Sequence, residues 1–132
     1  MSDIVYSSHV SLTGIEQLIW KNRVILINSD DKSNAKTDEY KKLFNKYKHE
    51  INERDLIWFI IKEDDVITNY PTRLSTNFIK RTKANYPIEK HPVLLIGKDG
   101  GIKTKSKKFD IDILFNEVDV MPMRQQEMSR QK

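Results

Sequence analysis

The sequence predicts an α/β domain with a mixed central sheet of about four strands, in the order β-α-β-α-β-β-α. Three short runs are apolar at consecutive positions, which is typical of strands that are buried on both faces. They are residues 24–27, 56–61 and 93–96. Amphipathic stretches with apolar residues at helical spacing lie between and after these runs. Helices are therefore expected on both faces of the sheet.

The first half of the chain begins with a short helix or turn over about residues 12–20, where apolar side chains recur at helical spacing. Turn and capping residues at 28–34 end the first strand. A longer helix over about 35–52 follows and carries a stripe of aromatic and aliphatic side chains. It is long enough for a right-handed crossover, so the strand at 56–61 should be parallel to the first.

The second half contains an irregular crossing over residues 66–72 and a helix that ends near Ala84, because Pro87 prevents its continuation. The third strand, 93–96, leads into Lys98-Asp99-Gly100-Gly101, whose residue types suit a tight hairpin turn. The two strands joined by this turn are antiparallel, and the sheet is therefore mixed.

The chain beyond the hairpin turn completes the domain. Residues 102–108 form a basic partner strand, and its lysines suit the edge of a sheet. Asp110 can cap a last helix whose apolar face extends to Val118. By composition alone, residues 124–132 are a polar tail.

One domain accounts for all 132 residues (1–132), with its core over about residues 12–121. The composition, with 38% hydrophobic and 32% charged residues, is typical of a soluble globular chain. No apolar run approaches the roughly 18 residues of a membrane helix, so no membrane partner is expected. The N-terminus lacks the pattern of a secretory signal, which predicts a cytoplasmic protein. A removed leader would instead indicate a periplasmic or secreted one.

The absence of cysteine excludes disulfides, thiolate nucleophiles and zinc–thiolate sites. The histidines His9, His49 and His91 lack a spacing typical of metal ligands. We therefore predict no cofactor and no metal, and we expect neither thiol-disulfide oxidoreductase nor thiol peroxidase activity. Other enzymatic activity stays open, although the residues favour a protein that is not an enzyme.

The predicted element order is that of the thioredoxin core, and the third strand sharpens this resemblance. Thioredoxins begin that strand with a cis-proline, followed by four apolar residues and a Lys-Asn-Gly-like turn. Pro92, residues 93–96 and Lys98-Asp99-Gly100 resemble this pattern. The resemblance implies a three-layer thioredoxin-like fold, a cis His91–Pro92 bond, and a crevice where the first strand ends. The usual cysteine would fall near Ser33, and serine cannot perform dithiol exchange.

Four spaced motifs over about residues 12–128 resemble the bacterial DUDES-type family, a thioredoxin-like domain of unknown function. They are Trp20-Lys21-Asn22-Arg23, Glu53-Arg54-Asp55-Leu56, Leu94-Leu95-Ile96-Gly97-Lys98-Asp99-Gly100-Gly101 and Met121-Pro122-Met123-Arg124-Gln125-Gln126-Glu127-Met128. Related modules occur in vertebrate secreted sushi-repeat and Equarin-like proteins. The resemblance implies the fold and a distant kinship with peroxiredoxins, and it implies no activity.

Polar residues at the end of the first strand and the start of the next helix form the predicted ligand site. A helix N-terminus presents free amide donors there, although a turn and an N-cap would use the same residue types. The predicted ligand-binding residues are Asp30, Asp31, Ser33, Asn34, His91, Pro92 and Arg124. Arg124 belongs to this set because the resemblance implies that the C-terminal segment docks on the domain.

Two enzymatic alternatives use the same end of the sheet. Glu63, Asp64 and Asp65 leave the neighbouring strand and could, with Asp30 and Asp31, hold Mg²⁺ or Ca²⁺. A solvated strand exit explains these acidic residues equally well. His91 paired with a carboxylate beside Ser33 has the parts of a hydrolytic triad, but no glycines of a nucleophile elbow surround the serine.

Cationic side chains on the surface suggest a further alternative function, the binding of a polyanion. They are Lys80, Arg81, Lys83, Lys103, Lys105, Lys107 and Lys108. A polyanion could bind them weakly, and the formal charge of +4 permits this. Aromatic residues do not interleave with these lysines as they do in a stacking platform, which argues against nucleic acid as the partner.

The sequence thus favours a binding or interaction module without redox chemistry, whose crevice beside Pro92 receives an extended segment of a protein or peptide partner. A homodimer stays open as an alternative. The sequence names neither the ligand nor the biological process.

Overall fold

The computed structural model describes residues 11–29 and 34–130, and its described strands form one mixed five-stranded sheet. The strands are β1 Arg23–Asn28, β2 Leu56–Ile61, β3 Val66–Thr68, β4 Val93–Ile96 and β5 Ile102–Ser106. Their order across the sheet is β3-β2-β1-β4-β5. β1 and β2 are parallel, and every other neighbouring pair is antiparallel. This α/β arrangement is consistent with the predicted thioredoxin-like class, with five strands instead of four.

Helices lie between and after the strands. A short 3₁₀ helix spans Ile15–Leu18, and the α-helices are α1 Ala35–Lys46, α2 Lys48–Glu53, α3 Phe78–Asn85, α4 Ile111–Asp119 and α5 Pro122–Arg130. The single helix expected over 35–52 is divided at Tyr47, whose φ of −103° and ψ of 27° interrupt the α-conformation. The Asp110 carboxylate accepts hydrogen bonds from the backbone N–H groups of Asp112 and Ile113, which confirms the predicted cap of α4.

The uniformly apolar strands follow from a sheet that is covered on both faces. Ile25 and Ile27 belong to one buried cluster, which includes Phe44 of α1 and the inner face of α4. Val24 and Leu26 belong to a second cluster, which includes Phe78 of α3 and the 3₁₀ helix. Alternate residues of a strand point to opposite faces, so both faces of β1 require apolar side chains.

The peptide bond between His91 and Pro92 is trans, as are the other described peptide bonds, and the predicted cis bond is wrong. The Pro92 carbonyl accepts a hydrogen bond from the Asn28 N–H at 2.8 Å, so the proline extends the pairing of β4 with β1. Proline is tolerated at the start of a strand, and the trans isomer is the usual one.

The extra strand, β3, lies within the segment that was expected to be irregular. It has only three residues and is too short for its pattern to distinguish it from a loop. Asn69 continues its pairing with β2: the side-chain oxygen accepts from the Trp58 N–H at 2.8 Å, and the amide nitrogen donates to the Leu56 carbonyl at 3.2 Å. The Asn69 side chain therefore covers backbone groups that would otherwise form an open sheet edge.

Candidate functional site

The crevice predicted from the sequence lies where β1 ends and β4 begins. Asp30, Asp31 and Ser33 lie outside the described residues, and their predicted role stays a prediction. Asn34 is in the left-handed conformation with φ of 66°, and its side-chain oxygen accepts a hydrogen bond from the Lys62 ammonium. His91 is partly buried, and its backbone N–H donates to the Pro87 carbonyl at 2.9 Å.

The acidic residues after β2 form the hairpin that leads into β3. The Lys62 N–H donates to the Asp65 carbonyl, and an Asp65 carboxylate oxygen accepts from the Val66 N–H, both at 2.8 Å. Within residues 11–29 and 34–130, no group of three His, Cys, Asp or Glu side chains is arranged to hold a metal ion. The described part of this end of the sheet therefore shows a turn, and the metal-assisted alternative gains no support from it.

The opposite end of the sheet, where β1 and β2 begin and β4 ends, carries a dense set of charged side chains. We call it the ionic end. It contains four cations and four carboxylates: Arg23, Arg54, Lys98, Arg124, Glu53, Asp55, Asp119 and Glu127. Arg124 lies here, so it does not join the crevice residues with which it was grouped. Residues 122–130, expected from composition to be a tail, form α5 and dock on the domain through this cluster.

Arg23 is the centre of one half of the ionic end. Its guanidinium is 1% exposed and donates to both carboxylate oxygens of Glu127, at 3.1 and 3.0 Å. It also donates to the Arg54 carbonyl at 3.0 Å. The Lys98 ammonium donates to Glu127 and to Asp55, each at 2.8 Å. These contacts fix the last turn of α5 against the starts of β1 and β2.

Arg124 is the centre of the other half and is fully buried. Its Nε donates to Asp119 at 3.1 Å, and its terminal nitrogens donate to the carboxylate and the carbonyl of Glu53, at 2.6 and 3.2 Å. Arg54 makes a two-pronged contact with Asp119 at 3.0 and 2.8 Å, and lies 4.5 Å from the centre of the Phe115 ring. α4, α5 and the turn before β2 are thereby joined through paired charges.

The cations hold the carboxylates of the ionic end in their charged form. Burial alone would raise the pKa of Glu127, but hydrogen bonds from Arg23 and Lys98 outweigh it and hold the pKa below its usual range. Burial likewise opposes ionisation of Asp119, and hydrogen bonds from Arg54 and Arg124 lower its pKa overall. Both groups are therefore ionised at neutral pH.

Acid should weaken the domain through these two carboxylates. Because their pKa values are lower in the folded than in the unfolded chain, the stability that they contribute is fully present above the ordinary carboxylate range of ~4. It is lost as the pH falls through the folded-state values. We expect the midpoint of thermal unfolding to fall steeply below about pH 4, and less steeply in Glu127→Gln. Equal pH profiles for the two proteins would contradict this.

A cavity of about 500 Å³ opens at the ionic end. Charged side chains line one part of it and apolar side chains line another, among them Arg23, Lys98, Lys103, Val120, Met121 and Met123. Trp20 lies beside its wall, since the Trp20 N–H donates to the Lys98 carbonyl at 2.6 Å. Trp20 is 66% exposed and has a φ of 71°, which is uncommon for a bulky residue.

All four motifs on which the sequence resemblance rests contribute to the ionic end. They supply Arg23, then Glu53 to Asp55, then Lys98, and finally Arg124 with Glu127. One local feature of the sequence indicates the ionic end. Arg23 and Arg54 each lie at or just before the start of an apolar strand, and parallel strands begin at the same end of a sheet. Arg124 and Glu127, the members of the ionic end that lie on α5, have no comparable local feature in the sequence.

The fold and the ionic end define a cysteine-free α/β domain with a C-terminal helix docked by charge. The chain belongs to the family described as a domain of unknown function (DUF4174), whose model matches residues 14–127. No curated protein and no solved structure matches the chain. Within the described residues, no helix combines the length and the apolar character that crossing a membrane requires.

Proposed function

We propose that this chain is a protein-binding module without thiol chemistry, and that its partner contacts the ionic end. The module is of the DUDES type, distantly related to peroxiredoxins. The convergence of the four motifs at one end of the sheet and the thioredoxin-like strand order support that kinship.

The observation that carries the proposal is where the exposed apolar side chains lie. The described residues contain four large apolar side chains that are exposed: Trp20, Ile113, Val120 and Met123. Val120 and Met123 line the cavity, and the backbone of Trp20 is hydrogen-bonded to that of Lys98 in its wall. A single exposed apolar residue is ordinary, but two in one cavity with a third on an adjoining segment make a surface of the composition that binds proteins. Tryptophan and methionine are enriched at such interfaces.

The charged wall of the cavity favours a peptide segment over a wholly apolar ligand. Lys103 is about one-third exposed and pairs with Asp99 at 2.8 Å, so an ion pair lies at the rim of the cavity. An apolar centre with a polar rim is the usual anatomy of an interface between proteins. A partner segment would place an apolar side chain against Val120 and Met123 and extend toward Trp20.

A peptide selection tests the proposal. Random peptides displayed on phage are selected on the full chain, and the dissociation constants of selected peptides are measured for variants. We expect the double variant Trp20→Ser/Met123→Ser to weaken binding by about tenfold or more, as loss of central apolar contacts does. The matched control is Ile113→Ser, which removes an exposed apolar side chain from the first turn of α4 and should leave affinity unchanged.

Other results would overturn the proposal in identifiable ways. Peptides that lose affinity in His91→Ala, and not in the double variant, would assign binding to the crevice with Asp30, Asp31, Ser33, Asn34 and Pro92. Binding that vanishes with added salt and with loss of Lys105, Lys107 and Lys108 would favour a polyanion. Self-association lost in the double variant would identify a second copy as the partner. Failure to select any peptide that the double variant weakens would reject the ionic end as a peptide site.

A further inference from the structure

We infer that Arg23 and Lys98 form a carboxylate-binding site, that Glu127 is its internal ligand, and that a carboxylate from outside the chain can replace Glu127. This inference does not rest on the proposed function, because a small carboxylate suffices to test it.

The site is built by parts of the chain other than α5. The backbone N–H of Arg23 donates to the Asp55 carbonyl at 3.0 Å, and its side chain donates to the Arg54 carbonyl at 3.0 Å. Lys98 follows β4 and is held by Asp55 at 2.8 Å. These contacts position both cations without any contribution from Glu127, so the site stays arranged when Glu127 leaves.

Arg23 requires a carboxylate. Among the described residues, Glu127 is the only acidic side chain within salt-bridge distance of it. The guanidinium is nearly fully buried, and its Nε is buried without a hydrogen-bond partner. Two parallel N–H···O contacts to Glu127 match the planar fork of arginine to a planar carboxylate. An empty site would leave a buried charge unpaired, and a carboxylate of any origin relieves that.

Glu127 is placed where it can leave. It begins the last turn of α5, and residues 129 and 130 are exposed. The other anchor of the helix, Arg124, lies one turn earlier and is the only buried residue of α5. Opening of the last turn frees Glu127, and Arg124 then loses only its 3.9 Å ion pair with Glu127. The hydrogen bonds of Arg124 to Asp119 and Glu53 stay in place, and the incoming carboxylate replaces the pairing that Arg23 loses. The cavity lined by Arg23 and Lys98 provides an entry route.

Chemical rescue of Glu127→Ala tests the site. Thermal unfolding is followed in sodium formate, with sodium chloride at equal ionic strength as the reference salt. We expect formate to raise the unfolding midpoint of Glu127→Ala saturably, by roughly 5 °C at ten times its dissociation constant. The matched control is Glu89→Ala, which removes an exposed carboxylate near the crevice and should respond equally to the two salts.

A further variant keeps the test decisive. Arg23→Met/Glu127→Ala lacks the arginine fork and should unfold at the same temperature in the two salts. Equal responses of Glu127→Ala to formate and chloride, or a formate effect that survives loss of Arg23, would overturn the site. Glu127→Gln cannot replace the alanine variant, because its amide fills the place that formate must occupy; if Glu127→Ala does not fold, hydrogen exchange in the unaltered protein decides.

Amide hydrogen exchange tests whether formate replaces Glu127 in the unaltered protein. Formate should speed amide hydrogen exchange at residues 127–130 relative to chloride, while exchange stays slow at Gln125, whose N–H donates to the Met121 carbonyl at 2.9 Å. Equal exchange at residues 127–130 in the two salts would leave Glu127 as a permanent contact and overturn its role as a replaceable ligand.

Discussion

Replacing Glu127 by alanine should destabilise the domain by about 3 kcal/mol, the lower end of the range for breaking a buried ion pair. The loss arises because Arg23, the partner of Glu127, stays buried in the variant. Arg23 is 1% exposed and has no second carboxylate among the described residues, so its charge would be buried and unpaired. Lys98 would keep its ion pair with Asp55. Urea unfolding at pH 7 measures the loss, with the slope checked for two-state behaviour.

The double variant Arg23→Met/Glu127→Met is the control for this interpretation. Replacing both members of a buried pair by apolar residues removes the unpaired charge and is often nearly neutral. We therefore expect the double variant to be more stable than Glu127→Ala. A double variant that is less stable than Glu127→Ala would show that other contacts dominate the loss.

Replacing Arg124 by alanine should destabilise the domain by about 2–4 kcal/mol and detach α5. Arg124 is fully buried and contacts Asp119 at the end of α4 and Glu53 at the end of α2. Its loss removes the only buried side chain of α5. Amide hydrogen exchange should show residues 125–130 losing protection before the sheet does.

The matched control for this prediction is Arg130→Ala, which removes the same side chain from an exposed position of the same helix. Its stability should stay within about 0.5 kcal/mol of the parent chain. Arg124→Lys keeps the charge but loses the planar fork, so an intermediate loss is expected. A stable Arg124→Ala with α5 still protected would contradict the role assigned to this residue.

The fold was predictable because its strongest signals are local. Residues 24–27, 56–61 and 93–96 are apolar on both faces, and only central strands covered by helices need that pattern. The cap at Asp110 was also a local signal. β3 has three residues, and the side chain of Asn69 continues its pairing with β2. No sequence period marks such an element.

The ionic end was less predictable, because its contacts join residues that are far apart in the sequence. Arg124 and Glu127 lie in a polar segment, and composition assigns such a segment to solvent. Their contacts with Glu53 and Arg23 join residues 71 and 104 positions apart. The resemblance indicated docking of this segment, and only the structure identifies the end of the sheet on which it docks. The crevice prediction followed the fold class, which positions a cleft without showing that the cleft is used.

NMR shift mapping of the ¹⁵N-labelled full chain with a peptide selected on it tests most directly whether the ionic end binds the partner. We expect saturable shifts at residues 97–103 and 120–123 and at Trp20, with little change at Asn34 and His91. Shifts confined to Asn34, His91 and their neighbours would contradict this expectation and return the binding site to the crevice.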